Sequence, residues 1–465
     1  MKYLQFYLLG ALIVAAGCDV LNQDPQTAIA EEDAIRNEKS AEAALNGLYG
    51  QLQSGDYYGD NILIVSDIAS DISQSVGTWD FYREIDTYNT VPGNLENRNL
   101  WSEAYATVNH ANNIISQVPE LENVSQESKD QIIGEAYFIR ALAYFDLTRT
   151  YGGVTGVAGT MGVPIVTEPS RAIGENSYPS RSSIEESYTQ VENDLKEAQS
   201  RLSGFSNPNW ASEAAAKALR SRLYLYTKDY DLVEQYATDV IDNYSFSLVE
   251  DFQDIFYNEN TSEAIFELAF NTTDPSSIRS WYFPSSRGGR GDIALHTDFV
   301  EKINSRPQDE RGDLIGFDAN IGVYYPSKYQ KTGADDNIQI LRLAEMYLNR
   351  AEARVRKQPE DLSGALSDLN EIRNRAGLQD TAGTGVDTAE EILRAIELER
   401  GIEFFEEGHR WYNLVRTGRA QTVLNSVDRK NSEPVSLDNA GRLVFPIPSR
   451  DIDANENLQQ NEAYR

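Results

Sequence analysis

Apolar residues recur at three- and four-residue spacing along most of this chain, which predicts a succession of amphipathic helices. Over 33–54, Ala34, Ala41, Ala44, Leu45, Leu48 and Leu52 fall on one face. Trp101, Tyr105, Val108, Asn112 and Ile115 make a stripe in 100–118, and Ile132, Ala136, Ile139, Ala143 and Leu147 make another in 128–150. Helical patterns follow at 184–202, 212–227, 230–243, 362–376 and 388–406, and 337–357 reads as one long uniform helix. Two pairs, 212–227 with 230–243 and 338–357 with 362–376, are separated by only a few residues, so each is expected to fold as a helical hairpin. Ala214, Ala215, Ala216 and Ala218 let such helices approach closely.

The hairpins look like tetratricopeptide-type stacking without a strict period of about 34 residues. Between the helical blocks, 62–92, 151–179 and 246–336 are rich in Gly, Pro, Ser, Asn and aromatics, with strand-like runs at 264–270 and 443–448. Loops of this length are usually functional or disordered, and their aromatic content argues against disorder. The expected fold is mainly α: helix pairs packed against an irregular, loop-rich lobe with a few short strands. Helical blocks flank the loops on both sides, which favours a single composite domain over 31–465. The scaffold is expected from 31–55, 98–150, 184–243 and 337–418, and the ligand lobe from 56–97 and 246–336.

The N-terminal segment reads differently. Lys2, a short apolar run from Leu8 to Gly17 and the sole cysteine, Cys18, follow the order of a secretory signal. Ala15-Ala16-Gly17-Cys18 resembles the bacterial lipobox, so 1–17 is expected to be a signal peptide, Cys18 a lipidated residue and 18–30 a tether. Multiple acyl chains anchor stably because each buried methylene contributes about 0.8 kcal/mol. The net charge of −32, from 73 acidic and 41 basic residues, argues against nucleic acid as a partner.

Chemistry-bearing motifs are few. His110, His296 and His409 are far apart, and with one cysteine no zinc-ligand spacing exists. A nucleophile elbow of the G-x-S-x-G form is absent. Gly156, Gly159 and Gly162 follow a helix, not a strand, and read as a helix-terminating loop. The single Arg-Gly-Gly run at 287–291 has no electrostatic support in so acidic a chain. Glu399, Glu403, Glu406 and Glu407, interleaved with Arg400 and Arg410, suit an internal salt-bridge lattice better than a pair of catalytic carboxyls. No catalytic residue, metal or cofactor is therefore expected.

Four ordered segments resemble successive C-terminal signatures of the SusD/RagB family: Asn337–Ala353, Leu369–Leu378, Ile396–Gly418 and Phe445–Tyr464. Cys18 with Leu21 and Pro25 resembles the family's start, and Gly134–Gly153 one of its helices. Departures are small: Glu462-Ala463 stands where Pro-Gly is common, and Ala15 where leucine is frequent. The resemblance implies an outward-facing, lipid-anchored outer-membrane protein. It would bind poly- or oligosaccharide without catalysis and act with a SusC-like TonB-dependent transporter. It also implies that the C-terminal signatures are scaffold, with Arg342, Arg400, Glu403, Glu406 and Arg410 paired internally.

Sugars present apolar C–H faces and hydroxyl edges, so a binding site needs aromatic platforms rimmed by polar groups. Three clusters qualify: Trp79, Phe81, Tyr82 and Arg83; Trp281, Tyr282, Arg287 and Arg290; and Tyr324 with Tyr325. Trp79 and Trp281 lead, because tryptophan in a Gly/Ser-rich loop is costly to expose without purpose. Tyr324–Tyr329 ranks lower, since Lys328-Tyr329 suits a structural role. A neutral glucan or fructan-type polymer is favoured weakly over a polyanion. The alternatives are a surface glycoside hydrolase, for which only the abundance of carboxylates speaks, and a protein-interaction scaffold without a sugar site.

Overall fold

The computed structural model describes residues 34–170, 178–205, 207–425, 427 and 435–465. Cys18, the leader and the tether lie outside them. The principal helices are α1 (Glu38–Leu52), α2 (Asn61–Ile68), α3 (Asp80–Asp86), α4 (Leu95–Gln117), α5 (Gln126–Leu147), α6 (Ile184–Arg201), α7 (Glu213–Thr227), α8 (Tyr230–Asn243), α9 (Ile278–Tyr282), α10 (Leu343–Arg356), α11 (Leu362–Arg375), α12 (Ala389–Glu403) and α13 (Arg410–Arg416). The strands are β1 (Ser73–Ser75), β2 (Ala264–Leu268), β3 (Ile293–Leu295), β4 (Ile315–Asp318), β5 (Val323–Pro326) and β6 (Ile338–Arg342). The chain is mainly helical with a few short strands, as its periodicity predicts.

Helix starts follow local chemistry. Ser183 with Glu186 and Thr388 with Glu391 form capping boxes at α6 and α12, and Ser125 caps α5. Lys228, in a left-handed conformation at φ 62°, turns α7 into α8. The helices then pack in series, α4 on α5, α5 on α6, α6 on α7, α7 on α8, α8 on α10 and α10 on α11. Ala214, Ala215, Ala216 and Ala218 are all fully buried, which permits the close approach at α7.

Four helix interfaces carry a buried bidentate arginine–carboxylate pair. Arg140 of α5 donates to Asp194 of α6 at 2.9 and 2.6 Å and to Asn112 of α4 at 2.7 Å. Arg222 joins Glu345 at 2.7 and 2.6 Å, linking α7 to α10. Arg350 joins Asp368 at 3.0 and 2.7 Å, and Arg416 joins Glu352 at 2.8 and 2.6 Å. A two-point fork fixes distance and orientation together, so these pairs set helix register more than they add stability.

Two expectations need correction. Residues 338–342 do not begin the predicted long helix: they form β6, which pairs antiparallel with β2. The run Ile338–Arg342 is fully buried on both faces, and that burial outweighs helical spacing. The strand-like run 443–448 contains two prolines and makes no ladder. The Gly153–Gly162 loop is irregular as expected; Gly159 sits at φ 76°, and a Cβ there would lie 1.7 Å from the Gly152 carbonyl oxygen.

The second sheet has the order β1-β3-β5-β4 and forms the centre of the irregular lobe. An ionic node ties this lobe to the helices. Glu403 of α12 accepts from Arg342 at 2.8 Å, from Arg311 at 3.2 Å and from Arg375. Arg342 also reaches Glu263 at 2.6 Å and Glu407 at 2.7 and 2.9 Å, while Lys328 donates to Glu407 at 2.7 Å. The three guanidinium groups hold the Glu403 carboxyl far below the usual carboxylate range despite its burial. The expected pairing thus holds for Arg342, Glu403 and Arg410, the last bonded to Asp71 at 2.6 Å. It fails for Arg400, which bonds Asn349 and no carboxylate among the described residues, and for Glu406, whose two carboxyl oxygens have no partner among them. Burial raises the Glu406 pKa well above the usual carboxylate range.

Replacing Glu403 with Gln keeps the volume and leaves three buried guanidinium groups undercompensated. The expected loss is about 3–5 kcal/mol in urea denaturation; a loss below about 1 kcal/mol contradicts a structural role for the node.

Candidate functional site

β-Pairing brings the two tryptophans together. β1 runs antiparallel to β3, with Ser75 opposite Ile293, and the pairing continues as the Val76 and Gly77 amides donate to the Asp292 carbonyl at 2.8 and 3.0 Å. Gly77 is required at this crossing, because a Cβ would lie 1.8 Å from Asp292 Oδ1. Two residues on, Trp79 stands at the N-terminus of α3. On the other side, the Arg290 amide donates to the Ser280 carbonyl at 2.6 Å, which holds the end of α9 against the start of β3. Trp281 follows Ser280.

The Trp79 and Trp281 rings lie with centroids 6.1 Å apart at an interplanar angle of 53°. Phe81 meets Trp79 edge-on at 5.5 Å, and Tyr82 meets Trp281 edge-on at 5.0 Å. The Arg290 guanidinium stands 4.1 Å from the Trp281 centroid and 5.7 Å from that of Trp79, held by Asp292 at 2.6 Å. Both tryptophans are half-buried and pack against the core.

Each indole N–H ends on a different buried carboxylate. Trp79 Nε1 donates to Glu96 Oε1 of α4 at 2.7 Å, and Trp281 Nε1 donates to Asp60 Oδ2 at 3.1 Å. These bonds fix the ring planes. Burial pushes the Asp60 carboxyl up to about 8; the Trp281 N–H opposes the rise, while the charges of Glu96 and Asp56 add to it. Glu96 is likewise raised, chiefly by burial. Exposed Asp56, bonded by Asn99 Nδ2 at 2.8 Å, lies at the rim.

Of the residues singled out in the sequence, Trp79, Phe81, Tyr82, Trp281 and Arg290 meet in this cluster. Tyr82 is fully buried and backs it. Arg83 lies on α3, donating to the Gly77 carbonyl at 3.3 Å beside Asp80. Tyr282 and Tyr325 point into the core. Tyr282 donates to Asp67 at 3.2 Å, and Tyr325 packs on Phe283 and fills the space a Cβ on Gly316 would occupy. Arg287 is exposed, and its carbonyl accepts from Arg279 at 2.8 Å. Tyr324 is half-buried against Phe317, with ring centroids 4.8 Å apart.

Sequence reasoning missed Asp60 and Glu96, because one is at a helix entry and the other in a helix's first turn, with no local mark of their shared surroundings. It also missed the exposed aromatics, among them Phe317 at 52% and Trp210 at 40%. Trp210 meets Tyr49 edge-on at 4.8 Å and borders a cavity of about 580 Å³. The tryptophan in the 207–210 turn was the available signal.

The raised Asp60 pKa gives a pH test. A carboxyl near 3.9 unfolded and near 8 folded costs stability increasingly as pH rises between those values. Asp60→Asn keeps an acceptor for Trp281 and removes this titration. Its melting temperature relative to wild type is expected to rise from about pH 4 to about pH 8 and then level off; a pH-independent difference contradicts the assignment.

Comparison with known proteins places this architecture. The profile of the SusD family matches residues 314–464, and a SusD-like profile described as starch-binding and associating with the outer membrane matches 19–225. SusD-like protein P38 of Formosa agariphila is 24% identical over 526 residues, covering 99% of this chain and 98% of its own. A solved structure from Bacteroides vulgatus, described as a candidate sugar-binding protein, is 30% identical with a TM-score of 0.81, covering 93% of this chain and 100% of that one. A laminarin-binding SusD-like protein shares the fold at 22% identity and a TM-score of 0.77, covering 92% of this chain and 100% of its own. The segment supplying Trp281 and Arg290 falls between the two profile matches. With its helical array, its irregular lobe and these matches, the chain belongs to the SusD-like family.

Proposed function

We propose that this protein is a non-catalytic glycan-binding protein of the outer-membrane surface that captures poly- or oligosaccharide for a SusC-like TonB-dependent transporter. The observation that carries the reading is the Trp79–Trp281 pair, two half-buried rings locked by buried carboxylates beside a cationic edge at Arg290. Rings held this way offer apolar faces with little conformational freedom left to lose on binding. Starch is named by one matching family profile and laminarin by a relative of the same fold, which supports a sugar ligand.

The surroundings favour a neutral polymer. Arg290 is already paired with Asp292 and Arg83 with Asp80, and Asp56 stands exposed nearby, so a polyanion would meet few uncommitted cations. A neutral glucan or fructan-type chain needs none. Outer-membrane association accords with the description of the same profile. The reading takes Cys18 as the lipid anchor, 1–17 as the signal peptide and 31–465 as one composite domain. The last is supported by a continuous hydrophobic core running from Ile35 to Leu458.

One observation favours a second reading. Asp60 and Glu96 are neighbouring buried carboxyls with raised pKa values, a pattern also found in glycoside hydrolases. Each, however, is engaged by an indole N–H in an inward-facing position. Release of reducing ends from a retained polysaccharide would favour this reading over binding alone.

Affinity electrophoresis against a polysaccharide panel tests the principal reading. At least one glycan is expected to retard the wild type, and Trp79→Ala or Trp281→Ala is expected to weaken binding about tenfold or more. Wild-type retardation by both variants contradicts the site. Cys18→Ala is expected to leave glycan binding by the purified protein intact while abolishing uptake by cells. Normal uptake by that variant contradicts the anchor.

A further inference from the structure

The chain is strongly acidic, yet one concave region of the helical scaffold is rich in cations. Between α10, α12 and α13 lies a cavity of about 190 Å³ lined by six arginines and three glutamates. The glutamates are already shared. Glu352 takes Arg416 through two bonds and Arg356 through a third at 2.8 Å, and Glu397 takes Arg419 at 3.1 Å. Arg410 turns away to Asp71, and exposed Arg394 pairs with Glu390 at 2.6 Å.

Arg400 is the exception. It lines the cavity at 3% exposure, and among the described residues no carboxylate lies within ion-pair distance of it. Its one side-chain hydrogen bond goes to Asn349 Oδ1 at 2.6 Å, and its Nε has no partner. A buried guanidinium without a direct ion pair is costly, and at four other helix interfaces this chain supplies a bonded carboxylate, whereas Glu352 and Glu345 act on Arg400 only from a longer range. Here the place of the carboxylate is taken by an open, cation-lined space with room for about six waters.

We propose that this cavity binds a small oxyanion, with Arg400 at its floor and Arg394 and Arg419 at its rim. Sulfate, phosphate and carboxylate all present the oxygens that a guanidinium fork recognises. The free inorganic ion and the acid group of a sugar are the two sources to be separated. The site is lined from α10, α12 and α13, shares no residue with the tryptophan cluster and is independent of the proposed glycan site.

The test is calorimetric titration of the full chain with sodium sulfate, and in parallel with glucuronate, at constant ionic strength set by sodium chloride. Saturable one-to-one binding of either is expected. Arg400→Met should weaken it about tenfold or more, and Arg394→Glu, at the exposed rim, about fivefold. The second variant reads the same site if the first fails to fold. Trp281→Ala should leave it unchanged. Tighter glucuronate assigns the site to a sugar acid and tighter sulfate to a free ion, both in support. Absence of saturable binding, or binding indifferent to Arg394→Glu, overturns the proposal.

Discussion

The structure depends on a buried carboxylate shared by three arginines. Glu403 receives Arg311, Arg342 and Arg375, which come from the irregular lobe, from β6 and from α11. Removing charges from water is expensive, and such a cluster persists only where every member is satisfied and held in place. The arrangement thus specifies more than it stabilises: lobe, strand and helices must meet in one register for the charges to cancel. Lys328 and Glu407 extend the same logic, since Lys328 is fully buried in the lobe and bonds both Glu407 and the Glu403 carbonyl.

That constraint reaches the candidate site through the backbone. The node fixes β6 and Glu263 beside β2, and the hairpin of β4 and β5 carries the sheet that β3 and then β1 extend. β1 and β3 in turn set Trp79 beside Arg290, and α9 adds Trp281. A rigid scaffold positioning loop-borne aromatics is the usual division of labour in binding proteins. The ring planes are then trimmed by Asp60 and Glu96, which belong to the helical side of the molecule.

Much of this was legible in the sequence. The helices at 38–52, 95–147, 184–243 and 362–403 follow from apolar spacing and short polar caps, whereas α2 and α3 lie in the 62–92 segment that reads as loop; both lead tryptophans were visible as aromatics out of place in polar loops. What was not legible came from tertiary context. Ile338–Arg342 reads as helix by spacing, and only its burial against β2 makes it a strand. Tyr82, Tyr282 and Tyr325 carry the same composition signal as Trp79 yet face inward, because alternation on a short strand or helix decides which aromatic is presented. Glu403 and Arg400 are three residues apart in one motif, and nothing local distinguishes the saturated carboxylate from the guanidinium left without a direct ion pair.

The most direct test of the central claim is a crystal structure of the protein with an oligosaccharide that it retains. The account predicts a sugar ring against Trp281 and Trp79, with the Arg290 guanidinium displaced from the ring face or bonded to the sugar's hydroxyls. An oligosaccharide bound elsewhere, for instance in the cavity beside Trp210, with the Trp79–Trp281 pair and Arg290 unchanged, would contradict it.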